Sequence, residues 1–164
     1  MHGHYNELRV ALFFMLRGYH TRIRFDGLTF DLSITRLAAD GTASPEKAVE
    51  VKWDKRAAQS GRLYFEILNT RQKKPSGVAA TRADLWCHVL GEGTTALIVP
   101  VPQLRKFLEE GHFREVHTRG ADSNSRGCLV PESALTAPPF WRVSLPTVED
   151  YFGLLVQQAL KSPP

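Results

Sequence analysis

The run Ala48-Val49-Glu50-Val51-Lys52-Trp53 alternates apolar and charged side chains. A strand sends Val49, Val51 and Trp53 to one face, and Glu50 and Lys52, side by side, to the other. Upstream, Leu28-Thr29-Phe30-Asp31-Leu32-Ser33-Ile34 reads the same way. Leu28, Phe30, Leu32 and Ile34 share a face, and Asp31 lies on the opposite one. If the two strands pair, an acid meets an acid with a lysine beside them. Two close carboxylates repel unless a cation sits between them. Oxygen ligands with open positions suit Mg²⁺. A lysine next to such an ion steadies a phosphate or the water that attacks it.

The 164 residues are 43% apolar, which suits one domain with a real core. No apolar run is long enough to span a membrane, and no secretory leader is seen. These features predict a cytoplasmic protein. Cys87 and Cys128 lack metal-site spacing and read as reduced thiols. The net charge of +4 is unevenly spread. Residues 1–51 hold six basic and six acidic residues, 52–82 hold eight and two, and 83–164 hold seven and nine. The positive excess therefore lies in the segment that opens at Lys52. A basic zone beside an acidic site suits a polyanion; the plainer reading is a solvated, lysine-rich surface.

Along the chain, Asn6 is placed to cap a helix running to about Arg17, with Gly18 as its stop. Residues 20–25 read as a strand and Asp26-Gly27 as a hairpin turn. The Asp31 strand, a loop over 38–46 and the Glu50 strand follow. Leu63–Asn69 reads as a strand and Thr70–Gly77 as a loop. Val78–Leu90 reads as a helix stopped by Gly91. Thr95–Val99 is a buried strand, and Pro102 opens a helix that ends at Gly111. Short strands are expected at Phe113–His117, Cys128–Val130 and Trp141–Val143, with a polar loop over Gly120–Gly127 and a closing helix over Pro146–Leu160.

This order, with an acid on the first helix (Glu7), then Asp31, then Glu50-Val51-Lys52, resembles the PD-(D/E)XK nuclease superfamily. Phe65–Asn69 followed by Arg82–Trp86 further resembles its phage-type endonucleases, and Glu7 resembles the archaeal Holliday-junction resolvase branch. The proline that often precedes the first acid is replaced by Phe30. The resemblance implies an α/β fold with a restriction-endonuclease-like core, a mixed central sheet flanked by helices. One nuclease domain would fill 1–164, its core at about 5–110 and a C-terminal extension at about 111–164. It implies Mg²⁺-dependent hydrolysis of DNA, with Mn²⁺ as a substitute. Asp31, Glu50 and the Val51 carbonyl would bind the metal. Lys52 would position the water and offset transition-state charge. Glu7 would hold a second metal or orient a water. Lys55, Arg56, Arg71, Lys73, Lys74 and Arg82 would hold the DNA backbone. The alternatives are a dimeric resolvase of branched DNA and a silent nuclease fold that only binds nucleic acid or protein.

Each residue also has a plainer reading. Asp31 would face solvent at a sheet edge, and Glu50 and Lys52 would form a surface ion pair of little consequence. Glu7 would simply favour the first turn of its helix. Glu66 and Asp84 read as structural, and His88 as packed rather than ligating. No Gly-x-Ser-x-Gly elbow and no phosphate-binding Gly-x-x-x-x-Gly-Lys-Ser/Thr loop occurs, so neither a serine hydrolase nor a nucleotide cofactor is expected.

Overall fold

Val49, Leu32 and Ile34 are fully buried, and they pack against Val10, Phe13 and Phe14 of the first helix. That contact fixes which face of the sheet is covered. The computed structural model describes residues 2–24, 30–118 and 124–161, the side chains of 2–3, 154–156 and 158–161 excepted. The chain opens with α1 (His2–Met15), then β1 (Tyr19–Ile23), β2 (Leu32–Arg36) and β3 (Lys47–Asp54). A short α2 (Ala57–Ser60) leads to β4 (Arg62–Asn69) and the two-residue β5 (Lys74–Pro75). After a 3₁₀ turn at Gly77–Ala79 come β6 (Leu85–Leu90), β7 (Thr95–Pro100) and α3 (Val101–Glu110). The last elements are β8 (Arg114–His117), β9 (Ser125–Pro131), β10 (Trp141–Ser144) and α4 (Val148–Lys161).

The strands form a mixed six-stranded sheet, β1-β2-β3-β6-β7-β10, and a four-stranded sheet, β5-β4-β9-β8. Within the larger sheet β3 and β6 run parallel and the other pairs are antiparallel. Alternation along the central strands splits the core in two. Cys87, Val89, Ala96 and Ile98 join the cluster under α1. Trp86, Leu97 and Val99 point the other way, toward Leu63, Phe65, Cys128 and Val130 of the smaller sheet and Leu104 of α3. Strands from 111–164 thus enter both sheets. No helix among the described residues is long and apolar enough to cross a membrane.

Several expectations change. Val78–Leu90 is not a helix: Leu85–Leu90 is a central strand, and only Gly77–Ala79 is helical, as one 3₁₀ turn. Cys87, His88, Val89 and Leu90 are all buried, so both strand faces are covered and the run lacks alternation. Such a run has no periodicity that separates strand from helix. Asn6 is not a cap, because α1 begins at His2; Asn6 lies in the second turn, buried, its side-chain oxygen against Gly93. The helix ends at Met15 rather than near Arg17, and Gly18, at φ 80°, closes the turn that follows it. Asp31 stands one residue ahead of its strand rather than within it. Ser125–Gly127 belong to β9 rather than to a loop. The expected turn at Asp26-Gly27 and the rest of the 119–123 loop lie outside the described residues.

Phe65 is the hinge between the layers, tilted against Trp86 and His88 at ring distances of 6.4 and 4.8 Å. Phe65→Ala should destabilise the protein by about 3–5 kcal/mol. Urea denaturation would test this; a loss under about 1 kcal/mol would mean the two sheets do not depend on this contact.

Candidate functional site

Leu32 pairs with Val49, and both face the core under α1. Asp31 and Glu50 are the next residues along each strand. Glu50 therefore leaves β3 on the other face, while Asp31, just ahead of β2, turns its carboxylate onto the β3 main chain, near enough for its charge to act on Glu50. The Asp31 N–H donates to the Val49 carbonyl at 3.1 Å. Its Oδ2 accepts the Val51 N–H at 2.6 Å. The side chain thus takes the place of the next ladder carbonyl where β2 leaves β3. A strand residue presents its C=O to the same edge as its N–H, so the Val51 carbonyl also points to the Asp31 side.

Glu50 is half-buried, and its Oε2 accepts the Thr81 hydroxyl proton at 3.1 Å. Thr81 is itself fixed from two directions. Its Oγ1 accepts the Ala83 N–H at 3.2 Å. Arg105 of α3 donates to the Val78 and Thr81 carbonyls at 2.8 and 2.7 Å. Asp84 locks the same segment to β3: its Oδ2 accepts the Ala48 N–H at 2.8 Å. It sits in the approach to β6, not in a helix.

Burial raises the Asp31 pKa; the Val51 N–H pulls it back and Glu7 pushes it up again. Burial and the neighbouring Asp31 charge carry Glu50 up to about 7, against the pull of Thr81 and Lys52. Among the described residues neither carboxylate forms an ion pair within 4.0 Å. Lys52 is exposed and acts on both from longer range. Two partly dehydrated acids, short of positive charge, are what a bound cation would relieve.

Among the described residues no three His, Cys, Asp or Glu side chains gather closely enough to hold a metal between them. Asp31 and Glu50 are a pair with a main-chain carbonyl alongside. That fits Mg²⁺, which keeps several waters and takes one or two carboxylates. Glu7 lies apart from such a cluster. Its Oε2 pairs with His4 Nδ1 at 2.9 Å, and it reaches Asp31 and Glu50 only as a repelling charge.

On the same face Lys52 lies beside His88 in the β3–β6 register. His88 is buried on a strand, not a helix. It accepts the Trp86 indole N–H at Nδ1, 3.1 Å away, which leaves Nε2 to donate toward Asp54 Oδ2 at 3.4 Å. Burial holds His88 below its ordinary pKa, so the ring is neutral. Asp54 also accepts the N–H groups of Arg56, Ala57 and Tyr64 at 3.0 Å each. Burial alone would raise its pKa, but these donors hold it low. One carboxylate thereby ties β3, α2, β4 and β6 together just beyond Lys52.

An open cleft of about 810 Å³ starts there and is lined by Lys52, Lys55, Arg56, Arg62 and Tyr64 among others. Lys55 and Arg56, expected to hold a nucleic-acid backbone, are therefore brought next to Lys52. Arg71, Lys73 and Lys74 sit instead on the exposed β4–β5 hairpin, and Arg82 on the exposed segment after Thr81; none of the four lines this cleft. Thr81, Arg105, Arg62 and Tyr64 were not found by sequence reasoning. Basic composition over 52–82 was the only signal, and it marked Arg62 without distinguishing it.

No protein-family model matches the chain, and no curated protein sequence does. Two solved structures are similar to it. One is a bacterial homing endonuclease, at TM-score 0.47 and 14% identity, over 99% of this chain and 96% of that one. The other is a nuclease from a fusellovirus, at TM-score 0.37 and 14% identity, over 94% of this chain and 87% of that one. Likeness at this level carries no argument about activity, which has to rest on the side chains.

The Glu50 pKa has a consequence for the metal-free protein. An acid whose folded pKa is raised contributes stability below its unfolded value, 4.5, and loses it as pH climbs through about 7. Glu50→Gln should therefore raise the melting temperature at pH 8 and leave it nearly unchanged at pH 4.5. Partial exposure screens the effect to on the order of 1 kcal/mol, or about 2–4 °C. Melting curves in EDTA would measure it, and an equal shift at both pH values would contradict the assignment.

Proposed function

We propose that this protein is a Mg²⁺-dependent DNA endonuclease of the PD-(D/E)XK type. The observation that supports this most is the pair Asp31 and Glu50, partly dehydrated and, among the described residues, without a cationic partner within ion-pair range, with Lys52 close by on β3. Asp31, Glu50 and the Val51 carbonyl would hold the metal, with Mn²⁺ an acceptable substitute. When bound, the ion supplies Lewis-acid polarisation of the phosphate and a more acidic water.

The chain's own groups do the rest. The Val51 N–H fixes the Asp31 carboxylate, and Thr81 fixes that of Glu50, so neither has to be ordered when substrate arrives. The Lys52 ammonium offsets charge that builds on the non-bridging phosphate oxygens. In hydrolysis a water oxygen joins phosphorus, the opposite P–O bond breaks, and the departing oxygen takes up a proton. Glu7, held by His4, adds negative charge behind the pair and raises its demand for a cation. Lys55 and Arg56 lie beside Lys52 and would hold the backbone, with Arg71, Lys73, Lys74 and Arg82 as outer contacts. Such contacts position DNA without reading bases.

Purified protein given linear, nicked, single-stranded and branched DNA should cut in Mg²⁺ or Mn²⁺ and not in EDTA. Glu50→Ala should lower the rate at least about a hundredfold while leaving DNA binding largely intact. Equal cleavage by wild type and variant would refute the assignment. Binding without metal-dependent cleavage would support a silent nucleic-acid-binding fold instead. If six cations meet phosphates, affinity should fall roughly a thousandfold between 50 and 200 mM salt. A flat salt response would remove the backbone contacts.

A further inference from the structure

The cleft at Lys52 is built from more than cations. Its floor is the outer face of the smaller sheet, where Tyr64, Val116 and Leu129 are only partly buried. Their strand neighbours Leu63, Phe65, Cys128 and Val130 point the other way, into the core. The Tyr64 ring lies over Gly127, where an added Cβ would come within 2.6 Å of it, and its hydroxyl bonds Ser125 at 2.9 Å. The ring is thus pinned along the sheet rather than free to swing. Around this apolar floor stand Lys52, Lys55, Arg56 and Arg62. The one acid in the lining, Asp54, is occupied by three main-chain N–H groups and His88.

A duplex offers such a groove phosphates, sugars and base edges, while its flat base faces are stacked inside. The cations would then be used and the floor left bare. An unpaired strand offers both charges and base faces, and aromatic platforms flanked by cations are how single strands are held. We infer that the cleft binds single-stranded DNA next to the scissile phosphate, with a base on Tyr64 and Leu129 and its flanking phosphates on Lys55, Arg56 and Arg62. Lys52 belongs both to this groove and to the carboxylate pair, so the strand runs from the platform to the site. The inference rests on the nuclease reading for its second half only. The preferred substrate is then a duplex with an unpaired segment, such as a flap, a splayed fork or a bubble.

Fluorescence anisotropy in EDTA, with a labelled single-stranded oligonucleotide and the blunt duplex of the same sequence, separates binding from chemistry. The single strand should bind about tenfold more tightly. Tyr64→Ala should erase most of that preference, and Tyr64→Phe should keep it, since the ring and not the hydroxyl meets the base. If Tyr64→Ala does not fold, Leu129→Ser makes the same test from the neighbouring strand. Equal or tighter duplex binding, or an unchanged preference in both Tyr64→Ala and Leu129→Ser, would overturn the inference. In Mg²⁺, a flap should be cut faster than the blunt duplex. Efficient duplex cutting without single-strand preference would overturn the groove and leave the nuclease reading. Preference without any metal-dependent cutting would overturn the nuclease reading and leave the groove.

Discussion

A carboxylate standing in for a strand carbonyl organises this site. Where β2 parts from β3, the ladder would leave the Val51 N–H without a partner, a costly omission for a partly buried amide. Asp31 fills the gap at 2.6 Å. Its position is thereby set by the backbone, and the same pairing sets Glu50 beside it. The fold thus holds two acids where neither is comfortable. Burial raises both pKa values, helped at Glu50 by the Asp31 charge and at Asp31 by that of Glu7, and among the described residues no basic side chain comes within ion-pair distance of either. Strain of this kind is retained where it serves a ligand. A divalent cation would relieve it, and by linkage would stabilise the folded chain.

The surroundings are arranged to keep the pair in place. Arg105 reaches from α3 to grip the Val78–Thr81 segment, and that segment presents Thr81 to Glu50. Asp54 gathers β4, α2 and β6 at the far end of β3. Between these two anchors lies Lys52, exposed and shared with the basic cleft. The proposed functional face therefore runs along β3 from Glu50 to Lys52 and on into the turn after it, at Lys55 and Arg56, and is braced at each end by side chains from other layers.

Much of this was legible in the chain. Alternation along β3 put Glu50 and Lys52 opposite Val49, but Phe30, expected on the face of Leu32 and Ile34, packs in the other core cluster, because the regular strand begins only at Leu32. β6 was misread because a strand buried on both sides has lost the alternation that identifies one. Thr81 was beyond reach: its bond to Glu50 joins positions 31 apart through a loop whose shape depends on Arg105. Tyr64 was read correctly as a strand residue, but the role inferred for it depends on β9 lying beside β4, with Leu129 opposite and Gly127 on the diagonal, a pairing across some sixty residues. Local pattern gave the strands and their faces; which strand lies against which was decided by tertiary packing.

The central claim is that Asp31 and Glu50 share one divalent ion. Anomalous diffraction from a crystal soaked in Mn²⁺ tests it without reference to substrate. The account predicts a single strong peak about 2.1–2.3 Å from an oxygen of each carboxylate and from the Val51 carbonyl. A peak bound elsewhere, or none between these two side chains at saturating Mn²⁺, would contradict it.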